Sequence, residues 1–470
     1  MTKLYNTVAM SENTKIQASE NKMGTMPVFS LILSMSLPMM FSMLVQAFYN
    51  IVDSYFVAKI SENAITAVSL AFPVQNLMIS FSVGTSVGVN ALLSLRLGQK
   101  RPEEVNKTAM NGLFLAFATY MVFCVLGIFF LKPYFFGQID IEEIRQMGLT
   151  YTKIVLFAGL GGYGAIMCEK LLQSTGKSML SMWSQLAGAL TNIIMDPVLI
   201  FGIGPFPEMG IAGAAWATVM GQFVAMIIAL TLNIKYNKDI HFQFKRFFRP
   251  DIYTIGQIYR VGVPSIILSS ITSFTTALIN MILRSFSATA IAVYGIYFKL
   301  NSVLFMPVFG LNSGIVPIIA YNYGARNYKR LTSSIKTGLA IAVTIMAFGT
   351  AIFMIFPGQL LSIFEASEEM LSIGIPAMRI IASSFIGAAV AIVLGSVFQS
   401  LQSAMLSMIV SVCRQVIVLV PAAYLLSLTG NINNIWFCFP IAEVMSIALS
   451  LIFYSKVYKQ KILPLKSNLK

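Results

Sequence analysis

The sequence has few charged residues for its length. Only 11% of its 470 residues are Asp, Glu, Lys or Arg, and 57% are hydrophobic, whereas about 25% of a soluble domain is charged. A folded chain of this composition cannot cover its surface with polar groups in water, so lipid must surround much of it. The shortage of charge therefore excludes a soluble enzyme, a disordered chain and a secreted disulfide scaffold.

Histidine and cysteine are also scarce, which excludes several kinds of catalytic and metal site. His241 is the only histidine, so no histidine-based triad or zinc site can be built within the membrane. Four cysteines lie in apolar runs without ligand spacing and are expected to be free: Cys124, Cys168, Cys413 and Cys438. The run Thr175-Gly-Lys-Ser178 resembles the end of a phosphate-binding loop, but Leu171 stands where that loop needs a glycine. We expect no enzymatic activity, no cofactor and no nucleic-acid partner.

The apolar residues are gathered into twelve segments, each long enough to cross a bilayer as a helix of about 20 residues. Helices are expected because only helices and closed barrels satisfy their backbone groups within lipid. The predicted spans are 29–57, 64–92, 105–131, 150–172, 178–203, 211–234, 255–283, 288–319, 332–356, 371–398, 402–427 and 432–456. The predicted fold class is therefore an all-α polytopic membrane protein.

The two halves of the sequence repeat one another. One constant shift in numbering superimposes Pro38 on Pro264, Gly84 on Gly310, Gly88 on Gly314, Gly98 on Gly324, Gly112 on Gly338 and Gln173-Ser174 on Gln399-Ser400. Six spans per half is an even number, so the halves should share one orientation and be related by an axis along the membrane normal. Transporters are known to use such parallel repeats. We therefore predict two parallel six-helix lobes.

Basic residues give the orientation and the domain limits. With the N-terminus inside the cell, 24 of the 32 Lys and Arg residues fall in cytoplasmic segments, as the positive-inside rule requires. No cleaved signal peptide is expected, because the polar N-terminal stretch has no apolar core. The predicted divisions are a cytoplasmic tail 1–27, an N-lobe 28–235, a cytoplasmic linker 236–252, a C-lobe 253–456 and a cytoplasmic tail 457–470. Both termini are thus expected in the cytoplasm.

Acidic residues within the predicted spans are the first candidates for function, because burying an ionisable group in a bilayer costs at least about 2.5–3.5 kcal/mol. The four are Asp53, Glu169, Asp196 and Glu443. Asn192 precedes Asp196 by four residues, so both lie on one helix face, and Pro197 follows at once. Thr218 supplies a hydroxyl from the next span. This group offers hard oxygen ligands to a small cation, although a polar pair joining two helices is the alternative.

Asp53 belongs to a polar stripe with Gln46 and Asn50, which recur on one face of the first span. A stripe facing lipid would be costly, so we expect it to face a cavity, unless Asp53 reaches the outer surface. Glu169 lies near the inner end of the fourth span beside Lys170, where a surface salt bridge is nearly as plausible as a role in transport.

The second half carries basic groups instead: Lys299, Arg379 and Arg414. Arg414 and Glu443 fall near the middle of consecutive spans, so we expect an ion pair between them. Such a pair would hold two helices in register, and the sequence leaves open whether these four residues are structural or functional.

Several motifs together resemble the multidrug and toxic compound extrusion (MATE) family. They are Asn50-Ile-Val-Asp53, Gln173-Ser-Thr-Gly-Lys177, Asn192-Ile-Ile-Met-Asp196-Pro197 and Tyr323-Gly-Ala325. The resemblance implies export of cationic, often aromatic, compounds driven by Na⁺ or H⁺. It also implies a cation site at Asp53, Asn192, Asp196 and Thr218, and Glu169 is similar to an acid of the bacterial multidrug branch. Thr272 replaces an acid that one branch carries in the seventh span.

These observations predict a secondary antiporter of the plasma membrane that moves small cationic organic substrates and is coupled to Na⁺ or H⁺. We assign Asp53, Asn192, Asp196 and Thr218 to the coupling site. Gln46, Asn50 and Glu169 are candidates for substrate binding, and we expect a monomer. The alternative is a lipid-linked oligosaccharide flippase of the same superfamily, for which Lys299, Arg379 and Arg414 would suit a pyrophosphate. The acidic first half favours the exporter.

Overall fold

The computed structural model describes residues 21–364 and 366–469 and confirms an all-helical chain with twelve spans. Ten helices are individually long and apolar enough to cross a membrane, and two further spans are bent helix pairs. The first six spans are α1 (Val28–Ala58), α2 (Glu62–Gly98), α3 (Pro102–Gln138), α4 (Glu142–Phe157 and Leu160–Ser174), α5 (Ser178–Phe201) and α6 (Ile211–Tyr236). The second six are α7 (Ile252–Arg284), α8 (Ala288–Gly324), α9 (Tyr328–Ile355), α10 (Glu368–Ala382 and Phe385–Ser400), α11 (Ala404–Ser427) and α12 (Ile432–Ser467).

The bends in α4 and α10 occur at the same place in the two halves. Each bend measures 46°, and in each half a hydroxyl from the preceding helix donates to a carbonyl at the break. Tyr120 donates to the carbonyl of Phe157 at 2.6 Å, and Thr350 donates to the carbonyl of Ala382 at 3.3 Å. These bonds satisfy backbone groups that a break would otherwise leave unpaired in an apolar setting. The sequence predicted each pair as a single span, 150–172 and 371–398, and the bends were not predicted.

A wide helical turn interrupts α11 from Cys413 to Leu419, where the backbone is a π-helix. Pro421 follows two residues later and explains it, because proline has no N–H and its ring excludes the carbonyl four residues earlier. π-Helical turns are rare and often occur at functional sites. In α1, by contrast, the helix runs without interruption through Pro38.

The repeat predicted from the sequence is present in the contacts between the two lobes. Glycines of α2 approach the backbone of α7, and glycines of α8 approach that of α1. A methyl group on Gly84 would lie 2.6 Å from the Ile266 nitrogen, and one on Gly310 would lie 2.6 Å from the Met40 nitrogen. The sequence repeat aligns Gly84 with Gly310 and Met40 with Ile266, so the two contacts are equivalent. The lobes are therefore related as two parallel six-helix repeats.

The two lobes also meet closely where α2 and α8 end. A methyl group on Gly98 would collide with the Tyr321 carbonyl, and one on Gly324 would collide with the Leu95 carbonyl. The same register of the repeat relates these two contacts. The turns that follow have matching left-handed residues, Lys100 with φ 56° and Arg326 with φ 55°.

The described chain ends and the segment between the lobes share this end of the bundle. The amide of Asn21 donates to the Thr175 carbonyl at 3.0 Å and to Asp239 at 3.2 Å. The amide of Asn322 donates to the Met23 carbonyl at 3.2 Å. The linker contains a short helix, Phe244–Phe247, and α12 continues through much of the predicted C-terminal tail. Most of the predicted N-terminal tail lies outside the described residues.

Candidate cation site in the first half

The site begins with the close packing of α5 against α6. A methyl group on Gly188 would lie 2.8 Å from the Gly221 carbonyl, and one on Gly221 would lie 2.7 Å from the Gly188 carbonyl. Small residues allow membrane helices to approach this closely. Asn192 comes one turn after Gly188, so it lies at the contact between the two helices.

Asn192, Asp196 and Thr218 are brought together by this packing. Asp196 is 0% exposed and Asn192 is 3% exposed. The Asn192 amide lies 3.5 Å from an Asp196 carboxylate oxygen and 3.5 Å from the Thr218 hydroxyl. The helix continues past Pro197 to Phe201 and ends at Gly202, whose φ is 70°. The sequence therefore predicted this grouping of three side chains.

Asp53 reaches the same group from α1. Its carboxyl group is within hydrogen-bonding reach of the Asp196 carboxyl group. Three buried oxygens at this point have no hydrogen-bond donor among the described residues: Asp53 Oδ1, Asp196 Oδ2 and Asn192 Oδ1. Two carboxyl groups this close repel one another when both are ionised. The cluster thus has more hydrogen-bond acceptors than donors. A proton shared by the carboxyl groups, or a small cation bound between them, would satisfy the unpaired oxygens.

Two tyrosines border the carboxyl pair, and the sequence reasoning missed both. Tyr49 lies close to the Gln46 side chain and to Asp53 and Asp196. Tyr151 accepts from the Gln75 amide at 3.3 Å. Tyr151 also lies close to Thr218 and to Asp53.

A signal for one of these tyrosines was present in the sequence. Tyr49 precedes Asp53 by four residues, which places both on one helix face. Tyr151 had no comparable signal, because only the packing of α4 against α2 and α6 brings it to the site.

Glu169 is buried but lies apart from this carboxyl pair. It accepts from the Gln185 amide at 2.8 Å, and Gln185 precedes Asn192 by seven residues on α5. Two helical turns correspond to about 10 Å along the axis. Lys170 does not form a salt bridge with Glu169 in the structure but donates to Gln173 at 2.8 Å. Glu169, on α4, therefore contacts the face of α5 that carries Asn192, about two turns away from it.

The predicted polar stripe of α1 divides in the structure. Asp53 is half-buried, while Gln46 and Asn50 are exposed. Gln46 lies next to Tyr49, and the Asn50 carbonyl accepts from Ser54 at 2.9 Å. The role of Gln46 and Asn50 in substrate binding stays a prediction.

The four charged residues singled out in the second half do not form one cluster. Arg414 donates to Glu443 at 3.1 Å, so the expected ion pair is present. Lys299 is exposed and lies 6.0 Å from the centre of the Phe364 ring. Arg379 is exposed and donates to the Met354 carbonyl at 3.2 Å.

The side chains at the N-lobe site determine which cations it could bind. Within the described part of the chain, no group of three or more His, Cys, Asp or Glu residues could hold a metal ion. The site instead combines two carboxyl groups with an amide and a hydroxyl. Such oxygen ligands suit hard cations, and two carboxyl groups can equally share a proton.

Comparison with known proteins gives the family. The MatE family profile matches residues 38–198 and 264–425, which places one match in each lobe. Similar proteins include the FAD transporter of Shewanella oneidensis, 24% identical over 431 residues, covering 89% of this chain and 92% of that protein. The probable multidrug resistance protein YoeA of Bacillus subtilis is 25% identical over 436 residues, covering 91% and 94%. The multidrug export protein MepA of Staphylococcus aureus is 24% identical over 431 residues, covering 91% and 94%.

Solved structures share the fold. A crystal structure of MATE in complex with MaL6 has a TM-score of 0.87 at 22% identity, covering 96% of this chain and all of that one. An outward-facing multidrug resistance MATE transporter has a TM-score of 0.87 at 21% identity, covering 96% and 99%. One profile match in each lobe agrees with the twelve-helix architecture and its internal repeat. The chain belongs to the MatE family and is a multi-pass membrane transporter of the MATE efflux type, not an enzyme.

Proposed function

We propose that this transporter is a secondary antiporter that exports cationic or aromatic organic compounds in exchange for Na⁺ or H⁺. The carboxyl pair of Asp53 and Asp196 would be its coupling site. One observation carries the proposal: the two carboxyl groups are within hydrogen-bonding reach, and each has a buried oxygen without a donor among the described residues. A buried site of this kind is stabilised when a cation or a proton enters it.

The mechanism follows from the placement of the two carboxyl groups on different helices. Asp53 is on α1, which packs against α8 of the other lobe, whereas Asp196 is on α5 inside the first lobe. Loss of the shared proton or cation would restore repulsion between the two carboxylates and favour movement of α1 away from α5. The ion would thereby change the contact between the lobes, which is the change that alternating access requires.

Either ion fits the side chains present. Na⁺ would be held by oxygens of Asp53, Asn192, Asp196 and Thr218, whereas a proton would need only the two carboxyl groups. The membrane potential supplies about 2.3 kcal/mol per charge for each 100 mV, and a concentration gradient adds to this. A cationic substrate would compete with the ion for the same negative charge.

The alternative, a lipid-linked oligosaccharide flippase, has less support. Its pyrophosphate would need a cluster of basic side chains facing one cavity. Lys299 and Arg379 are both exposed and contact other groups, so they do not join Arg414. Two of the similar proteins named above are described as multidrug proteins, which favours drug export.

We further propose that the protein is a monomer in the plasma membrane, with both termini in the cytoplasm. The 24 basic residues assigned to the cytoplasm support this orientation, as does the meeting of the chain ends and linker at one end of the bundle. Single cysteines placed in 236–250 and in either tail should react with a membrane-impermeant reagent only after the cells are opened. Labelling of any of these sites in intact cells would contradict the orientation.

Transport into proteoliposomes tests the coupling directly. Purified protein would be given ethidium under an imposed Na⁺ gradient, an imposed H⁺ gradient, or neither. We expect one gradient to drive uptake of the dye against its concentration, and Asp196→Asn to abolish that uptake. Dye movement that ignores both gradients would contradict an antiport mechanism.

A further inference from the structure

The second lobe contains most of a cavity that the coupling mechanism does not use. It has a volume of about 590 Å³ and lies among α7, α8, α10, α11 and α12. The lining residues that matter here are Arg414, Glu443, Asn301, Phe298, Phe309 and Lys170. Lys170 belongs to the first lobe, so the cavity reaches the boundary between the lobes.

Positive charge faces this cavity. Among the described lining residues, the Asp, Glu, Lys and Arg side chains are Lys170, Arg414 and Glu443. The Arg414 side chain is 32% exposed, whereas the Glu443 side chain is 6% exposed. A molecule that enters therefore meets the guanidinium group of Arg414, with Glu443 behind it.

The ion pair leaves much of Arg414 available. Nη1 is the Arg414 atom that bonds Glu443, at 3.1 Å, and no other described residue accepts from the guanidinium group. A guanidinium group has five N–H donors, and pairs of arginine with a carboxylate are frequently bidentate. Arg414 lies in the π-helical turn of α11. The remaining donors of Arg414 can thus bind a second anion.

The sequence repeat shows that the first lobe lacks the counterparts of these two charged side chains. The repeat aligns Arg414 with Gly188 and Glu443 with Ala217. Gly188 allows α5 and α6 to pack backbone against backbone, as described above. Arg414 and Glu443 put long charged side chains at the equivalent positions of α11 and α12, and both line the cavity.

One wall of the cavity is aromatic. Phe298, Asn301, Phe305, Phe309 and Asn312 line it and recur every three or four residues along α8, so they share one helix face. Phe298 is 38% exposed and Phe309 is 47% exposed, which leaves their rings available for stacking. The Oδ1 atoms of Asn301 and Asn312 are buried without a donor among the described residues, and they can accept hydrogen bonds from a ligand.

We propose that this cavity is a second ligand site, and that it binds an aromatic organic anion bearing hydrogen-bond donors. Arg414 holds the anionic group, the exposed rings of α8 stack with the aromatic system, and the two asparagines accept from its polar groups. The site is opposite in charge to the coupling site of the first lobe. The proposal deepens the export function by adding a substrate class, and it rests on that function only where transport is measured.

Binding to the purified protein in lipid nanodiscs tests the site. Flavin mononucleotide and riboflavin are suitable probes, because they share a fluorescent ring system and differ by one phosphate group. We expect flavin mononucleotide to bind about tenfold more tightly than riboflavin, as a charge-assisted bond to Arg414 implies. Equal affinity for the two probes, or no saturable binding of the phosphate form, would overturn the proposal.

Variants of the ion pair identify the group responsible. Arg414→Gln alone would leave the Glu443 carboxylate buried and unpaired. The double variant Arg414→Gln/Glu443→Gln is the better test, because it removes both charges and keeps both side chains polar and long. It should weaken flavin mononucleotide binding about tenfold and change riboflavin binding less than about twofold. Glu443→Gln alone should bind the phosphate form at least as tightly as the wild type. Unchanged binding by the double variant would contradict the role of Arg414.

Two further measurements separate this site from the coupling site. Asp53→Asn should leave flavin mononucleotide binding unchanged while abolishing transport of any substrate in proteoliposomes. Ethidium should not displace flavin mononucleotide, because the cavity presents Arg414 to its ligand. If ethidium displaced flavin mononucleotide at lower concentrations than riboflavin does, the cavity would be a cation site and the proposal would be wrong. Normal binding of flavin mononucleotide without its transport by the wild type would count only against the proposed export function.

Discussion

The two lobes share a backbone arrangement but differ in the charges they bury. The first lobe places Asp53 and Asp196 together with an amide and a hydroxyl, and the second places Arg414 against Glu443 beside an aromatic cavity. The residues that correspond to Asp53 and Asp196 are Ile279 and Ala422. The glycines that bring the lobes together recur in both halves, so the repeat preserves close backbone contacts and leaves the polar sites different.

This difference indicates which residues serve the architecture and which serve a site. A glycine at a backbone contact is required in both halves, because a methyl group at either place would collide with the facing helix. A buried carboxyl group has no such architectural necessity and costs free energy in lipid. The comparison therefore predicts that symmetric changes at the glycines act alike, and that changes to the charged residues act differently in each lobe.

The largest effect is expected at the coupling site. Asp196→Asn keeps the shape of the side chain and removes its charge, so ethidium efflux should fall to background while expression and thermal stability stay near normal. Asp53→Asn should do nearly the same. Efflux from cells and thermal unfolding of the purified variants measure the two properties, and Glu208→Gln, an exposed acid beyond α5, is the matched control. Wild-type export by both variants would show that the acidic cluster is structural.

The next largest effect is a loss of stability where α2 and α8 end, and it should be equal for the two lobes. Gly98→Ala and Gly324→Ala should each destabilise the contact between these helices by about 1–3 kcal/mol, as overpacking does. Both should lower the melting temperature and expose introduced cysteines near this end to labelling. Gly295→Ala on α8 is the control, because a methyl group there has no atom within 4 Å. A loss confined to one of the two variants would contradict the symmetric arrangement.

The ion pair of the second lobe should give the opposite pattern to the coupling site. Glu443→Gln removes a charged partner of Arg414 and should lower stability by about 1–3 kcal/mol, while ethidium efflux per folded molecule survives. The double variant with Arg414→Gln should recover part of the lost stability, because no charge is then left unpaired. Melting temperature and efflux normalised to folded protein separate these outcomes. Full stability with lost ethidium efflux would place the pair in the coupling mechanism.

The smallest effect is expected at Glu169, which lies beside the coupling site but contacts Gln185. Glu169→Gln should reduce efflux by about threefold, a difference of less than about 1 kcal/mol, and the reduction should depend on the drug. Comparing efflux of several cationic dyes tests this, with Glu62→Gln as an exposed control. A complete loss for every dye would make Glu169 part of the coupling site.

The sequence alone determined the class of molecule, the number of spans, the repeat and the core of the candidate site. Composition required lipid as the solvent, and segment length set the twelve helices. Helical spacing placed Asn192 and Asp196 on one face, because residues four apart always share a face of an α-helix. The depth of Arg414 and Glu443 in consecutive spans predicted their ion pair, which the structure confirms.

Tertiary structure determined which helices contact one another and which side chains from different helices meet at each site. Tyr151 lies close to Asp53 only because α4 packs against α2 and α6, and no local pattern connects residues so far apart in sequence. At the bends of α4 and α10, hydroxyl groups of neighbouring helices bond the carbonyls of Phe157 and Ala382. The cavity beside Arg414 is lined by α7, α8, α10, α11 and α12, which only the packing of the lobe brings together. Periodicity gives the face on which a side chain lies, but only packing determines which helix that face meets.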